Sequence, residues 1–394
     1  MIGDGWDGDP SARPGAPEPA RRVRIAVVTG SRAEFGLLTP VMRAIAATPT
    51  LELIVFAAGS HLIQPALTLR DVKALFPIAD SVPMQIAGRL GRNEDAQAVG
   101  TGISRFARIF ASHNPDWVVV LGDRIEAFAA AAAANIGGYL LAHIHGGDRA
   151  EGVADEAMRH AITKLAHVHF PATKTSADRI IKMGERADKV HVVGSSAIDE
   201  LSHIEPMTDE AFAEVGSPSV LFLMHPVGRH AEMEEAAATE ALVACKAVGP
   251  VLALAPNFDA GRAGITRAIR DCVGIKAIEH MPRAQFVALL KRMAASGGIM
   301  VGNSSAALIE AAALKLPAVN IGHRQLGRER AGNVVDAADE TIEGIGRAIA
   351  AAKALDRAKL THPYGDGHAG LAIARILATT RLEEPGLRRK LNAY

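Results

Sequence analysis

The chain has 394 residues, with 43 Lys+Arg against 43 Asp+Glu, 49% hydrophobic residues and 4% aromatic ones. That length exceeds what one hydrophobic core fills and points to two domains, in a globular rather than disordered composition. Zero formal charge excludes a general attraction to nucleic acid or to an anionic membrane, and the scarcity of aromatics excludes a stacking platform for single strands.

Residues 1–22 (MIGDGWDGDPSARPGAPEPARR) are rich in Pro and Gly and lack the apolar core of a signal peptide, so they are expected to be a disordered tail. Beyond them, short β-branched runs alternate with longer Ala/Leu-rich amphipathic stretches. That alternation predicts parallel sheets with helical crossovers. In the first half the strands are expected at 24–29, 51–57, 117–121, 139–144, 167–171 and 189–193. In the second half they are expected at 220–224, 251–255, 298–301 and 317–321. Helices are expected between them, at 126–134, 155–165 and 306–314 among others, and the two halves meet near 200–216. The apolar stretch 127–141 is interrupted by Asn135, Gly137 and Gly138, so it is not read as a membrane span. Cys245 and Cys272 have neither CxxC nor Cys/His ligand spacing, which fits a reducing, cytoplasmic location better than a disulfide or zinc framework.

Open parallel sheets bind ligands at the carboxyl ends of their strands. The residues that follow each expected strand are therefore the informative ones. Gly302-Asn303-Ser304-Ser305 enters a helix as an anion cradle would, with Glu310 placed to meet a ribose; the alternative is an ordinary serine cap. Arg32 follows the first strand and is either a second phosphate contact or a surface ion pair. Neither GxxxxGK[ST] nor a GxGxxG after the first strand is present. Asp123 directly follows an apolar run, where a buried carboxylate must be paired or used. Asp148, Glu151, Asp155 and Glu156 extend the acidic set, with Arg124, Arg159, His143, His145 and His160 among them. Asp155 and Glu156 are equally readable as first-turn acids that complement a helix dipole. His143 and His145 are expected to face one side of a strand, but no third ligand at fixed spacing accompanies them, so no metal is expected. His225, between an apolar strand and Pro226, is a candidate acid, base or phosphate donor.

Taken together, the runs TGSRAE at 29–34, GDRIE at 122–126, HIHGGD at 143–148, DEAMRHAITK at 155–164, VGS at 193–195, HP at 225–226, GNSS at 302–305, NIGHRQ at 320–325 and PYGDG at 363–367 resemble the UDP-N-acetylglucosamine 2-epimerase family. They keep the family's order over about residues 23–375 and look like its hydrolysing branch. The resemblance implies a GT-B-type α/β fold: two Rossmann-like domains, parallel sheets facing a central cleft. It implies domains at 23–200 and 201–365, with a C-terminal helix in 366–394 crossing back to the first. The implied reaction expels UDP from C1 as the C2 proton leaves. The resulting glycal takes up water at C1 and a proton at C2 on the other face, giving UDP and a free 2-epimeric sugar.

By motif, the resemblance carries Asp123 and Asp155 over as leading acid/base residues, with Arg124 and Arg159 orienting them or the substrate. Arg32, His225, Asn257, Asn303, Ser304, Ser305 and Glu310 fall on the UDP side. His145 stands where the non-hydrolysing branch has glutamate, and Asp148 where relatives have a longer glutamate, so the C2 base is left among the catalytic candidates Asp123, His145, Asp148, Asp155, Glu156 and His225. Phe258, in Asn257-Phe258-Asp259, replaces a small polar residue and suggests a less polar sugar. Expected partners are a UDP-sugar and UDP, without cofactor, nucleic acid or membrane, in a homodimer or homotetramer. The alternatives are the same reaction on UDP-N,N'-diacetylbacillosamine, a non-hydrolysing epimerase, a GT-B glycosyltransferase, or a non-catalytic nucleotide-sugar sensor.

Overall fold

The computed structural model describes residues 21–64, 66–89, 91–149, 156–257 and 261–393. Of the expected tail only Arg21 and Arg22 fall within them; residues 1–20 lie outside. The first sheet is built from β1 (Val23–Thr29), β2 (Leu51–Ala58), β3 (Ile78–Val82), β4 (Trp117–Leu121), β5 (Leu140–Ile144) and β6 (Val168–Phe170), in the order β3-β2-β1-β4-β5-β6. The second comprises β7 (Val220–Leu223), β8 (Val251–Leu254), β9 (Lys276–Ile278), β10 (Ile299–Gly302), β11 (Ala318–Asn320) and β12 (Val334–Asp336), in the order β12-β11-β10-β7-β8-β9. Every ladder is parallel. Counted from its own first strand, each sheet has the same doubly wound, Rossmann-type order. The order reverses between β1 and β4 and again between β7 and β10, and such reversals open a ligand crevice at the strand ends.

Central strands of parallel sheets are covered on both faces and read as unbroken apolar runs. In β4, Trp117-Val118-Val119-Val120-Leu121 is buried throughout. The strands missing from the sequence reading, β3, β9 and β12, are short and partly exposed, as Lys276 and Ala277 of β9 illustrate. Residues 189–193 are not a strand: Val190 makes a single bridge to His169 after a 3-10 turn at Ala187–Lys189. The helix expected at 306–314 is also broken, into a 3-10 turn Ser305–Ala307 and a short helix Glu310–Ala313.

The apolar stretch 127–141 is divided between helix Ile125–Ile136, whose small side chains pack closely on helix Arg92–His113, a turn at Gly137–Gly138 and the start of β5. A Cβ on Gly102 would sit 2.9 Å from the Ala129 Cβ, so only glycine permits this approach. Among the described residues no helix is long and apolar enough to cross a membrane.

The last helix, Ala369–Thr379, lies on helix Arg32–Ala47 and adds Ile373, Ala374 and Leu377 to the core of the first half. Its first amides have no partner within the helix. Asp199 supplies one, its carboxylate accepting from the Ala369 N–H at 2.9 Å and the Gly370 N–H at 2.6 Å. Asp199→Ala removes this cap and is expected to lower stability by about 0.5–2 kcal/mol in urea unfolding. An unchanged midpoint would show that the helix docks by packing alone.

Candidate active site

A cleft of about 1530 Å³ lies between the two sheets, lined from both halves. The loops at both reversal points open into it: Ser31 and Arg32 after β1, Asp123 and Arg124 after β4, His225 after β7, and Ser304 and Ser305 after β10. Two glycines make these turns. Gly122 has φ +75°, and Gly302 has φ +145° with its Cα so close to Leu223 that a Cβ would collide with the Leu223 carbonyl. Both conformations lie in the region that favours glycine.

At the end of the first sheet the charges are tied into one network. Asp123 forms an ion pair with Arg159, which is 2% exposed and also donates to the Asp148 carbonyl at 3.0 Å. Burial, helped by the Arg328 charge, lowers the Arg159 pKa to about 9, which leaves it cationic at neutral pH. The Asp148 carboxylate accepts from Ser176 Oγ at 2.7 Å and lies 3.4 Å from His145 Nδ1. Burial opposes ionisation of Asp148, but the His145 hydrogen bond, the His145 and Arg328 charges and Ser176 outweigh it, holding the carboxyl below its ordinary value. On its other side His145 Nε2 lies 3.2 Å from Ser195 Oγ. This Ser–His–Asp order is not a nucleophile triad. Ser195 is fully buried, away from the cleft wall, and caps the Ala197 amide, so it orients the ring.

His143 does not share a face with His145, contrary to the strand reading. β5 ends at Ile144, and His145 takes φ +61°, a strained turn for a residue with a side chain. His143 Nε2 lies 2.7 Å from the Gly122 carbonyl and Nδ1 lies 3.2 Å from Thr163 Oγ1, while burial lowers its pKa to about 3. It is a neutral brace for the turn that carries Asp123. Among the described residues no three His, Cys, Asp or Glu side chains form a group able to hold a metal ion.

Across the cleft, His225 Nδ1 accepts from the Asn257 N–H at 3.1 Å, so the neutral ring carries its proton on Nε2. Burial, then the Arg324 charge, lowers its pKa to about 3. That argues for a hydrogen-bond donor and against a group that titrates in turnover. Asn303 is 2% exposed and clamps the His225 backbone from both sides, accepting from its N–H at 2.7 Å and donating to its carbonyl at 2.8 Å. It therefore braces the cradle and does not line the cleft. Ser304 and Ser305 both face the cleft, although Ser304 also caps the following turn, so both alternatives of the sequence reading coexist. The helix behind them is only Glu310–Ala313, too short to contribute a dipole. Glu310 faces the cleft, with Oε1 accepting from Arg283 Nη1 at 3.1 Å. Arg32 lines the cleft and makes no ion pair among the described residues; burial lowers its pKa, opposed by Asp71 and Glu279.

Glu156 is not brought to the cleft: it lies 3.4 Å from His160 Nε2 and 3.4 Å from Arg149 Nε. Glu151, Asp155, Phe258 and Asp259 lie outside the described residues. The sequence reading assigned no role to Glu34, Arg283, Arg324 or Arg328, all of which line the cleft. Arg283 and Arg328 come from the segments after β9 and β11, so reading β9 as a strand would have pointed to the first of them.

The model of the UDP-N-acetylglucosamine 2-epimerase family matches residues 43–378 of this chain. A UDP-N,N'-diacetylbacillosamine 2-epimerase (hydrolyzing) of Legionella pneumophila is 34% identical over 384 residues, covering 94% of this chain and 99% of its own. A UDP-N-acetylglucosamine 2-epimerase of Neisseria meningitidis serogroup B is 29% identical, covering 81% of this chain and 84% of its own. The structure of the Methanocaldococcus jannaschii UDP-GlcNAc 2-epimerase with UDP-GlcNAc and UDP is similar with a TM-score of 0.76 at 18% identity, covering 91% of this chain and 100% of that one. Two Rossmann-type sheets facing a cleft are the GT-B arrangement of such structures. The chain belongs to the UDP-N-acetylglucosamine 2-epimerase family.

Proposed function

We propose that this protein is a hydrolysing 2-epimerase that converts a UDP-N-acetylhexosamine to UDP and the free 2-epimeric sugar. The observation that supports it most is the division of the cleft. Paired acids with an oriented imidazole stand at the end of one sheet, and neutral donors with arginines at the end of the other. Loss of UDP needs the second wall. Ser304, Ser305, the His225 Nε2–H and Arg324 suit a diphosphate whose charge grows as the C1–O bond breaks and its electron pair leaves with UDP. Removal of the C2 proton, and its return on the other face, needs the first. There Asp123 and the His145–Asp148 pair are the proton-transfer groups, with Arg159 fixing both carboxyl-bearing segments. Between these steps water adds to C1 of the glycal.

The hydrolysing outcome is favoured by the Legionella relative, which is described as hydrolyzing and is matched over nearly its whole length. The same relative favours UDP-N,N'-diacetylbacillosamine as substrate over UDP-N-acetylglucosamine. Free thiols at Cys245 and Cys272 suit a cytoplasmic enzyme, and we read it as a homodimer or homotetramer.

Incubation with each UDP-sugar in parallel, followed by proton and phosphorus NMR, tests this reading. UDP and a free 2-epimer are expected, with the bacillosamine derivative turned over faster. A UDP-linked epimer would make the enzyme non-hydrolysing, and transfer to an acceptor would make it a glycosyltransferase. Asp123→Asn is expected to lower kcat by ~10²–10⁴-fold, with UDP affinity measured by calorimetry retained. Loss of UDP affinity at unchanged kcat would move Asp123 to the nucleotide.

A further inference from the structure

Behind Arg124 lies a second set of acids that the proton transfers above do not use. Glu34 and Glu126 are 5% and 0% exposed, and both pack on Gly30. Glu34 Oε1 accepts from the Gly30 N–H at 3.1 Å, and a Cβ on Gly30 would stand 2.5 Å from Glu126 Cγ. Gly59, at φ +54°, completes the pocket, since a Cβ there would collide with Glu126 Oε1. Two glycines from different strand ends thus make room for one carboxyl. Glu126 Oε2 lies 3.7 Å from Arg124 Nε, and the Arg124 side chain, 39% exposed, continues into the cleft beside Asp123.

The other titratable groups facing this set are Asp95, with Glu94 beside it on helix Arg92–His113, and His61 after β2. His61 is held by Thr29 Oγ1 at 3.0 Å and Thr68 Oγ1 at 2.7 Å, and burial, then the Arg124 charge, lowers its pKa to about 4, so it is neutral. One guanidinium cannot fully compensate these carboxyls when two of them, Glu34 and Glu126, are buried.

We propose that Glu34 and Glu126 hold one proton as a pair and thereby fix Arg124 as the clamp for the sugar-bearing half of the substrate. Both are positioning residues, and the inference rests on the UDP-sugar reading of the cleft. Burial raises Glu34 to about 8, the Glu126 charge adding to it and Arg124 and the Gly30 N–H opposing. Burial raises Glu126 as well, with Arg124 the main opposing charge. Below pH of about 8 Glu34 therefore keeps its proton, and Glu126 is the carboxyl that faces Arg124. Above it the proton is lost, and a second carboxylate draws the guanidinium back toward Gly30 and away from substrate.

The test measures kcat and KM for the UDP-sugar turned over, across neutral and alkaline pH, with UDP affinity by calorimetry, in wild type, Glu34→Gln and Glu126→Gln. Wild-type KM is expected to rise above pH of about 8, at little-changed UDP affinity. Glu34→Gln mimics the protonated acid and loses that rise. Glu126→Gln removes the buried carboxyl beside Arg124 and is expected to raise KM ~10–100-fold, with kcat within about threefold. An alkaline rise that persists in Glu34→Gln overturns the proposal, as does a Glu126→Gln variant that binds UDP and keeps its KM within about twofold. Should Glu126→Gln fail to bind UDP, the pH profile of Glu34→Gln decides. If wild type turns over no UDP-hexosamine, the functional reading fails, and the same comparison is made on UDP-sugar affinity.

Discussion

The site depends on charge being taken out of water at the end of a fully buried strand. β4 is closed on both faces, and the chain leaves it through Gly122 with Asp123 next in line. A carboxylate there is costly unless a partner and further hydrogen bonds are built around it. Arg159 is that partner, and because it also holds the Asp148 carbonyl it ties helix Glu156–Leu165 to the loops after β4 and β5. From Asp148 the network runs through Ser176 and His145 to Ser195, whose N–H donates to the Tyr364 carbonyl at 2.9 Å. Satisfied polar networks of this kind fix a single geometry, which a proton transfer to carbon requires.

The opposite wall works by a different device. His225 is kept neutral, and its hydrogen-bonding direction is set by Asn257 and Asn303. The cations along the cleft are arginines, with no lysine among the described lining residues. Planar guanidinium groups engage phosphate oxygens in pairs and lose less freedom per bond than a lysine would. Acidic residues and arginines are equally numerous along the wall, as acidic and basic residues are in the whole chain. Recognition here depends on where each charge sits rather than on net field.

The fold was legible wherever burial on both faces imposes an unbroken apolar run, as in β1, β4 and β7. It was illegible in β3, β9 and β12, which are short, partly exposed and interrupted by polar residues. The site was legible where a residue directly follows a central strand: Asp123, His145, His225, Ser304 and Ser305 all needed only the rule that parallel sheets bind at their carboxyl ends. Asn303 shares that position but turns inward, because the His225 backbone needed a partner that only the packed structure reveals. Glu34 and Glu126 stood in recognisable runs without a role. What gives them one is Gly30 and Gly59 closing around a carboxyl from two strand ends far apart in sequence.

If the groups gathered at the end of the first sheet exchange a proton with C2 of the substrate, as proposed, that carbon acquires a hydrogen from solvent. Turnover in deuterium oxide, followed by mass and NMR analysis of the free sugar, tests it most directly. One carbon-bound deuterium per product molecule, located at C2, is expected. A product whose C2 carries only the original hydrogen would rule out the proton transfer proposed for Asp123, His145 and Asp148.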